Sequence, residues 1–178
     1  MATSLEKGVH NYFLEHDAFF NTKIDSYFKW LPIAATFTAH LCQVRTRDAW
    51  IKQLLIAGAS EGIRYFVTDS LKNVSSEKRP LPYFDHRSFP SGHTSSSFAA
   101  AYFMRQELKQ NMPALSYAGY LCAVSAAVIR LMKSKHWLKD VVAGAAIGVI
   151  SAKLAFMIVD KLSSKAKASL HQAHHDIN

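Results

Sequence analysis

The run from Val141 to Val159 holds nineteen residues and a single charge, Lys153. Wound as an α-helix at 1.5 Å per residue, it is about 28 Å long, close to the thickness of a bilayer's hydrocarbon core. Four further apolar stretches precede it, from Trp30 to Val44, Ala49 to Val67, Ser95 to Met104 and Pro113 to Met132. The fourth is nearly uncharged until Arg130, whereas the second carries Lys52, Glu61 and Arg64. Glu61 and Arg64, three apart, are expected to pair inside a helix bundle and to take no part in chemistry. The pattern predicts an all-α fold, a single bundle of about five to six helices embedded in a membrane. Residues 30–162 form the bundle. Residues 1–29, rich in Tyr12, Phe13, Phe19, Phe20, Tyr27 and Phe28, read as an amphipathic segment at a membrane interface or as a helix capping a soluble bundle. Residues 163–178 read as a polar tail, in which His171, His174 and His175 are expected to fray rather than bind a metal.

Composition narrows the function. Hydrophobic residues make up 49% of the 178, high for a soluble protein and modest for a membrane one, and the net charge is +8. No stretch resembles a nucleic-acid-binding motif, so the positive balance suits an anionic membrane surface or an anionic substrate. The first twenty residues lack a basic start followed by an apolar run, so no cleavable signal peptide is expected. Cys42 and Cys122 both lie in apolar stretches and read as small buried hydrophobes rather than a disulfide. Gly58-x-x-x-Gly62 and Gly144-x-x-x-Gly148 fall inside apolar helices and are read as close helix packing, not as phosphate loops.

Three groups of residues carry chemistry. Lys72 is followed by Arg79 and Pro80, then comes Pro90-Ser91-Gly92-His93, and last Arg130, His136 and Asp140. They supply three cations, two histidines, a carboxylate and a turn that opens a helix. Phosphoryl transfer asks mainly for positioning and for stabilisation of charge on the equatorial oxygens, which Lys72, Arg79 and Arg130 can provide. A helix starting at Ser91-Gly92 points unpaired backbone N–H groups at an anion, with Gly92 allowing close approach and Ser91 adding a hydroxyl donor. His136 and Asp140, four apart, share one helix face, so Asp140 can accept from one ring nitrogen and leave the other to attack phosphorus. His93 is then available to protonate the leaving oxygen and to activate water. No acidic cluster or Cys/His spacing suggests a metal, and no cofactor is expected.

Topology agrees with this chemistry. The second apolar stretch delivers the chain to Lys72, the third leaves after His93, the fourth returns with Arg130 and the fifth leaves after Asp140. Every motif residue thus falls at one end of the bundle. The other end carries Arg45, Arg47, Arg105, Lys109, Lys161, Lys165 and Lys167, which the positive-inside rule places in the cytoplasm. The phosphate end then faces the periplasm or exterior across the inner membrane.

The chain resembles the type-2 phosphatidic acid phosphatase superfamily, which also holds vanadium haloperoxidases and bacterial acid phosphatases. The family signature is Lys-x6-Arg-Pro, Pro-Ser-Gly-His and Ser-Arg-x5-His-x3-Asp, matched here by Lys72, Arg79 and Pro80, by Pro90 to His93, and by Arg130, His136 and Asp140. One position departs: Ile129 stands where the family has serine, so a polar contact is lost but no charge. The resemblance implies His136 as nucleophile, His93 as general acid and base, and Asp140 orienting His136. It implies Lys72, Arg79, Ser91, Gly92 and Arg130 as the phosphate holders. The substrate it implies is a phospholipid or polyprenyl phosphate or pyrophosphate. A soluble broad-specificity acid phosphatase, a haloperoxidase and a non-catalytic lipid-headgroup binder are the alternatives. Oligomeric state stays open.

Overall fold

A computed structural model describes residues 24–80 and 85–177, with the isolated positions 4, 8, 11 and 12, and the side chains up to 169 together with that of Gln172. Five helices follow one another and no strand occurs among the described residues: α1 (Ile24–Leu41), α2 (Trp50–Ser75), α3 (Gly92–Leu108), α4 (Pro113–Met132) and α5 (Leu138–Ile177). Each covers one of the expected apolar stretches. The aromatic segment before Ile24 lies almost wholly outside the described residues, although 24–29 already belong to α1.

α3 is the central helix. It packs against all four others, and Thr94, Ser95, Ser96, Ser97, Ala99, Ala100 and Ala101 are all buried. Small side chains let neighbouring backbones come close. A Cβ on Gly148 would lie 2.1 Å from the Ser95 carbonyl oxygen and one on Gly144 2.6 Å from that of Ser91, so α5 touches α3 backbone to backbone. Gly119 of α4 does the same against Ala101 and Met104. The Gly144/Gly148 pair is therefore a packing motif, as its spacing implies. Gly58 and Gly62 are not: an added Cβ on either meets nothing within 4 Å among the described residues.

Aromatic packing closes the middle of the bundle. Phe103 stacks on Phe156 at 6.0 Å between ring centroids and tilts against Phe37 at 6.1 Å, with Ile56, Ala155 and Val159 completing the cluster. Polar residues also bridge helices there. Arg64 donates to Glu61 at 2.9 and 2.5 Å, and Ser96 donates to the other Glu61 oxygen at 2.7 Å. Glu61 and Arg64 thus pair within the bundle and tie α2 to α3.

The outer surface is apolar. Trp50, Ile51, Leu54, Leu55, Tyr65, Phe66, Leu121, Val142, Ile150, Met157 and Ile158 are exposed. α4 and the part of α5 up to Ser169 are long and apolar enough to cross a membrane, and only 33% and 39% of their most apolar windows are buried. The core helix of a soluble bundle hides most of such a window, whereas these turn it outward.

Three expectations change. α5 does not stop near Val159 but continues as helix to Ile177, so the polar tail is helical backbone that extends roughly 25 Å past Asp160. The histidine side chains near its end lie outside the described residues. Cys42 is exposed in the α1–α2 loop and Cys122 is half-buried, so neither is a core residue, and both are free thiols. At the far end, Arg47 N donates to the Glu107 carbonyl at 3.0 Å, and Arg47 and Lys52 both pair with Asp160 at 2.5 and 2.6 Å.

Candidate active site

Each motif residue reaches the same end of the bundle by a separate local device. α2 ends at Ser75, and Ser76 adopts the left-handed conformation with its N–H on the Lys72 carbonyl, which turns the chain back towards the bundle. Ser88 N then donates to the Glu77 carbonyl at 2.9 Å and Arg79 N to the Asp85 carbonyl at 3.0 Å, folding the loop on itself. Lys72 Nζ donates to the carbonyls of Arg87 at 2.7 Å and Ser88 at 3.4 Å, and its Cε lies 4.0 Å from the place of a Cβ on Gly92. Lys72 therefore lies beside the start of α3. Arg79 pairs with Asp85 at 3.1 Å.

Ser91 caps α3. Its Oγ accepts from Thr94 N at 3.4 Å and from Thr94 Oγ1 at 2.9 Å, leaving its own hydroxyl proton to donate elsewhere. The first intrahelical bond runs from Ser95 N to the Ser91 carbonyl at 3.0 Å, so the N–H groups of Gly92 and His93 precede the helix's own ladder. Ser91 N itself donates to the Asp140 carbonyl at 3.0 Å, which locks the start of α3 to the start of α5.

His136 is 4% exposed and Asp140 is fully buried. His136 Nδ1 lies 3.5 Å from Asp140 Oδ2, ion-pair range but longer than a good hydrogen bond. That oxygen already accepts from Ser88 Oγ at 2.5 Å and from Trp137 N at 2.9 Å. The spacing of four thus brings the pair together as expected, while the hydrogen bond between them is not closed. The Trp137 indole N–H donates to the Lys78 carbonyl at 2.9 Å, and Lys139 pairs with Glu77, so the α4–α5 loop sits directly on the Lys72–Ser91 loop.

The electrostatics follow from burial and from four cations at close quarters. Burial pushes the His136 ring down to about 4 against the opposite pull of Asp140, and Arg130 and Arg79 add to the fall. Burial also takes His93 down to about 3, helped by the Arg130 and Lys29 charges beside it. Burial lowers Lys72 to about 8, with the Arg79 charge contributing. Both histidines are therefore held in the neutral form at pH 7. The Arg130 charge lowers both rings.

The geometry gathers all eight residues singled out by spacing: Lys72, Arg79, Ser91, Gly92, His93, Arg130, His136 and Asp140. It also adds two that spacing missed. Ser88 holds the Asp140 carboxylate. Asp25, at the start of α1, accepts from Arg130 Nη1 at 3.0 Å and from Lys133 Nζ at 2.7 Å. Among the described residues, no three His, Cys, Asp or Glu side chains group closely enough to hold a metal ion.

This arrangement coincides with a family pattern across most of the chain. The PAP2 superfamily model matches residues 53–164. The chain belongs to the PAP2 superfamily. This PAP2 chain is 30% identical over 142 residues to the lipid A 1-phosphatase of Porphyromonas gingivalis, covering 79% of the chain and 32% of that relative. It thus spans about a third of the relative's length. Two crystal structures share its fold: LpxE of Aquifex aeolicus, with a TM-score of 0.64 at 19% identity over 88% of this chain and 99% of that one, and a PAP2-type phosphatidylglycerolphosphate phosphatase of Bacillus subtilis, with a TM-score of 0.52 at 18% identity over 92% and 88%. The PAP2 match begins inside α2, so α1 and its Asp25 lie outside it.

Proposed function

We propose that this PAP2 chain is a membrane phosphatase that removes a phosphate from a lipid phosphate or lipid pyrophosphate through a phosphohistidine on His136, without a metal. The observation that carries the reading is the buried His136 next to Asp140, held neutral by burial and by the charges of Arg130 and Arg79. Asp140 orients the ring and favours the imidazolium character that grows as Nε2 bonds to phosphorus. Lys72, Arg79 and Arg130 neutralise the equatorial oxygens, and the N–H groups of Gly92 and His93 with the Ser91 hydroxyl complete the cradle. As the P–O bond to the lipid breaks, the electron pair stays on the leaving oxygen, which takes the proton of a protonated His93. The neutral His93 then accepts a proton from water, whose oxygen attacks phosphorus and frees His136.

His93 is held neutral in the empty site, and a general acid needs a proton. A bound phosphate dianion pulls the other way, since an adjacent negative charge favours the imidazolium.

Membrane residence and a lipid substrate are supported by the outward apolar faces of α4 and α5 and by the named activities of the relatives, a lipid A 1-phosphatase and a phosphatidylglycerolphosphate phosphatase. Those faces disfavour the soluble acid phosphatase. The basic far end supports an orientation with the site on the periplasmic or outer side of the inner membrane.

The test is phosphate release in EDTA by detergent-purified wild type and His136→Ala, on phosphatidic acid, a polyprenyl pyrophosphate and a soluble aryl phosphate. Release by wild type alone, with an acid-labile phosphoenzyme trapped on quenching, is the expected result. Release that needs an added metal, or that survives His136→Ala, would overturn the reading.

A further inference from the structure

Asp25 is an acid that the motifs do not account for. It opens α1, far ahead of Lys72 in the chain and outside the region of the family match. It is 3% exposed, and each of its carboxylate oxygens meets a cation: Oδ2 is 3.0 Å from Arg130 Nη1 and Oδ1 is 2.7 Å from Lys133 Nζ. Arg130 is itself only 6% exposed. Burial favours the neutral carboxyl, but Lys133 and Arg130 outweigh it and hold Asp25 down at about 2, so it is an anion at neutral pH.

An anion at this place is costly if affinity for phosphate is all that matters. It cancels part of the positive field and repels the ligand. Packing alone does not explain it either, since apolar residues commonly replace buried ion pairs without loss of stability. Its contacts give another reason. Arg130 is a long side chain that must present a planar fork to oxygens whose positions are fixed by His136 and α3. A guanidinium left to itself samples many rotamers, whereas one held by a buried carboxylate is already ordered when the phosphoryl group arrives.

We propose that Asp25 is a positioning residue of the phosphate site: its carboxylate, with Lys133 alongside, holds Arg130 in the pose from which Arg130 engages the transferring phosphoryl group. This deepens the function proposed above and rests on Arg130 being a phosphate ligand there. It makes α1 part of the working site.

The experiment is a double-mutant cycle on the full detergent-purified chain with Asp25→Asn, Asp25→Glu, Arg130→Ala and Asp25→Asn/Arg130→Ala. Three quantities are read: kcat and KM for a soluble aryl phosphate, the affinity for orthovanadate, and the thermal midpoint. Asp25→Asn is expected to lower kcat/KM and vanadate affinity by about ten- to a hundredfold, the scale of a misplaced catalytic group. In the Arg130→Ala background the same change is expected to alter both by less than about threefold, because the group it acts on is gone. Asp25→Glu is expected to recover part of the loss. Wild-type kcat/KM and vanadate affinity in Asp25→Asn would overturn the proposal. An equal loss in the Arg130→Ala background, or a loss confined to the thermal midpoint, would do the same. A wild type whose vanadate affinity depends on Asp25 in this way and that yet releases no phosphate would sink the phosphatase reading and leave this one standing.

Discussion

Asp140 Oδ2 lies 3.5 Å from His136 Nδ1 and is held at shorter range by two other donors, Ser88 Oγ at 2.5 Å and Trp137 N at 2.9 Å. The carboxylate is thus fixed before the imidazole takes hold of it. It has one orientation to offer, set by the loop before α3 and by the first turn of α5.

Ser88 should therefore matter although no motif contains it. Ser88→Ala leaves a fully buried carboxylate short of a donor, a loss of ~1–3 kcal/mol in isolation. We expect kcat to fall by about tenfold, less than in Asp140→Asn, which removes the charge as well as the orientation. Steady-state phosphate release checks this. A Ser88→Ala enzyme at wild-type rate would show that the Asp140 pose does not depend on it.

His136 should stay unprotonated well below the usual histidine range. Its folded value of about 4 lies under the 6.5 of an unperturbed ring. Between those values the unfolded chain binds a proton that the folded one does not, so its contribution to stability is full above pH 6.5 and is lost as pH falls through about 4. Histidine NMR titration of the anion-free protein should find one ring titrating near 4 that disappears in His136→Ala. A His136 ring titrating at 6.5 would refute the assignment.

Anion binding should take up a proton at His93. Burial takes the ring down to about 3, and a bound anion pulls it up. Calorimetric titration with orthovanadate at pH 6, in buffers of different ionisation enthalpy, should show net proton uptake that His93→Gln abolishes. Equal heats across the buffers would remove His93 from the acid role.

The two glycine pairs should respond oppositely. Gly148→Ala forces a methyl into the Ser95 carbonyl, where 2.1 Å is available, and overpacking of this kind costs ~1–3 kcal/mol or more. Gly58→Ala meets nothing within 4 Å among the described residues and removes an unfavourable helix residue, so it should be neutral or stabilising by up to about 1 kcal/mol. Thermal unfolding in detergent distinguishes them, and a tolerated Gly148→Ala would mean that α3 and α5 separate easily.

The sequence reveals what is local and periodic. The apolar runs announced all five helices, and the motif spacings brought eight residues to one end because each sits within a few positions of a helix boundary. α5 escaped because its last turns lack an apolar face to mark them. Cys42 sits at the end of an apolar run, and only the loop geometry shows that it turns outward. Gly58 and Gly62 have the same spacing as Gly144 and Gly148, yet spacing does not say which face meets a neighbour. Asp25 and Ser88 could not be read because their partners are distant in sequence: a buried carboxylate becomes meaningful only once Arg130 and Lys133 are beside it.

The backbone contact between α3 and α5 has a mechanical consequence. Ser91 N is bonded to the Asp140 carbonyl, and Gly144 rests against Ser91 itself. The start of α3 and the first turn of α5, which carries the carboxylate beside His136, are thus joined as two arms of one jaw. A slip of either helix would carry Ser91 and Asp140 along together, so their mutual alignment would outlast small shifts within the bundle.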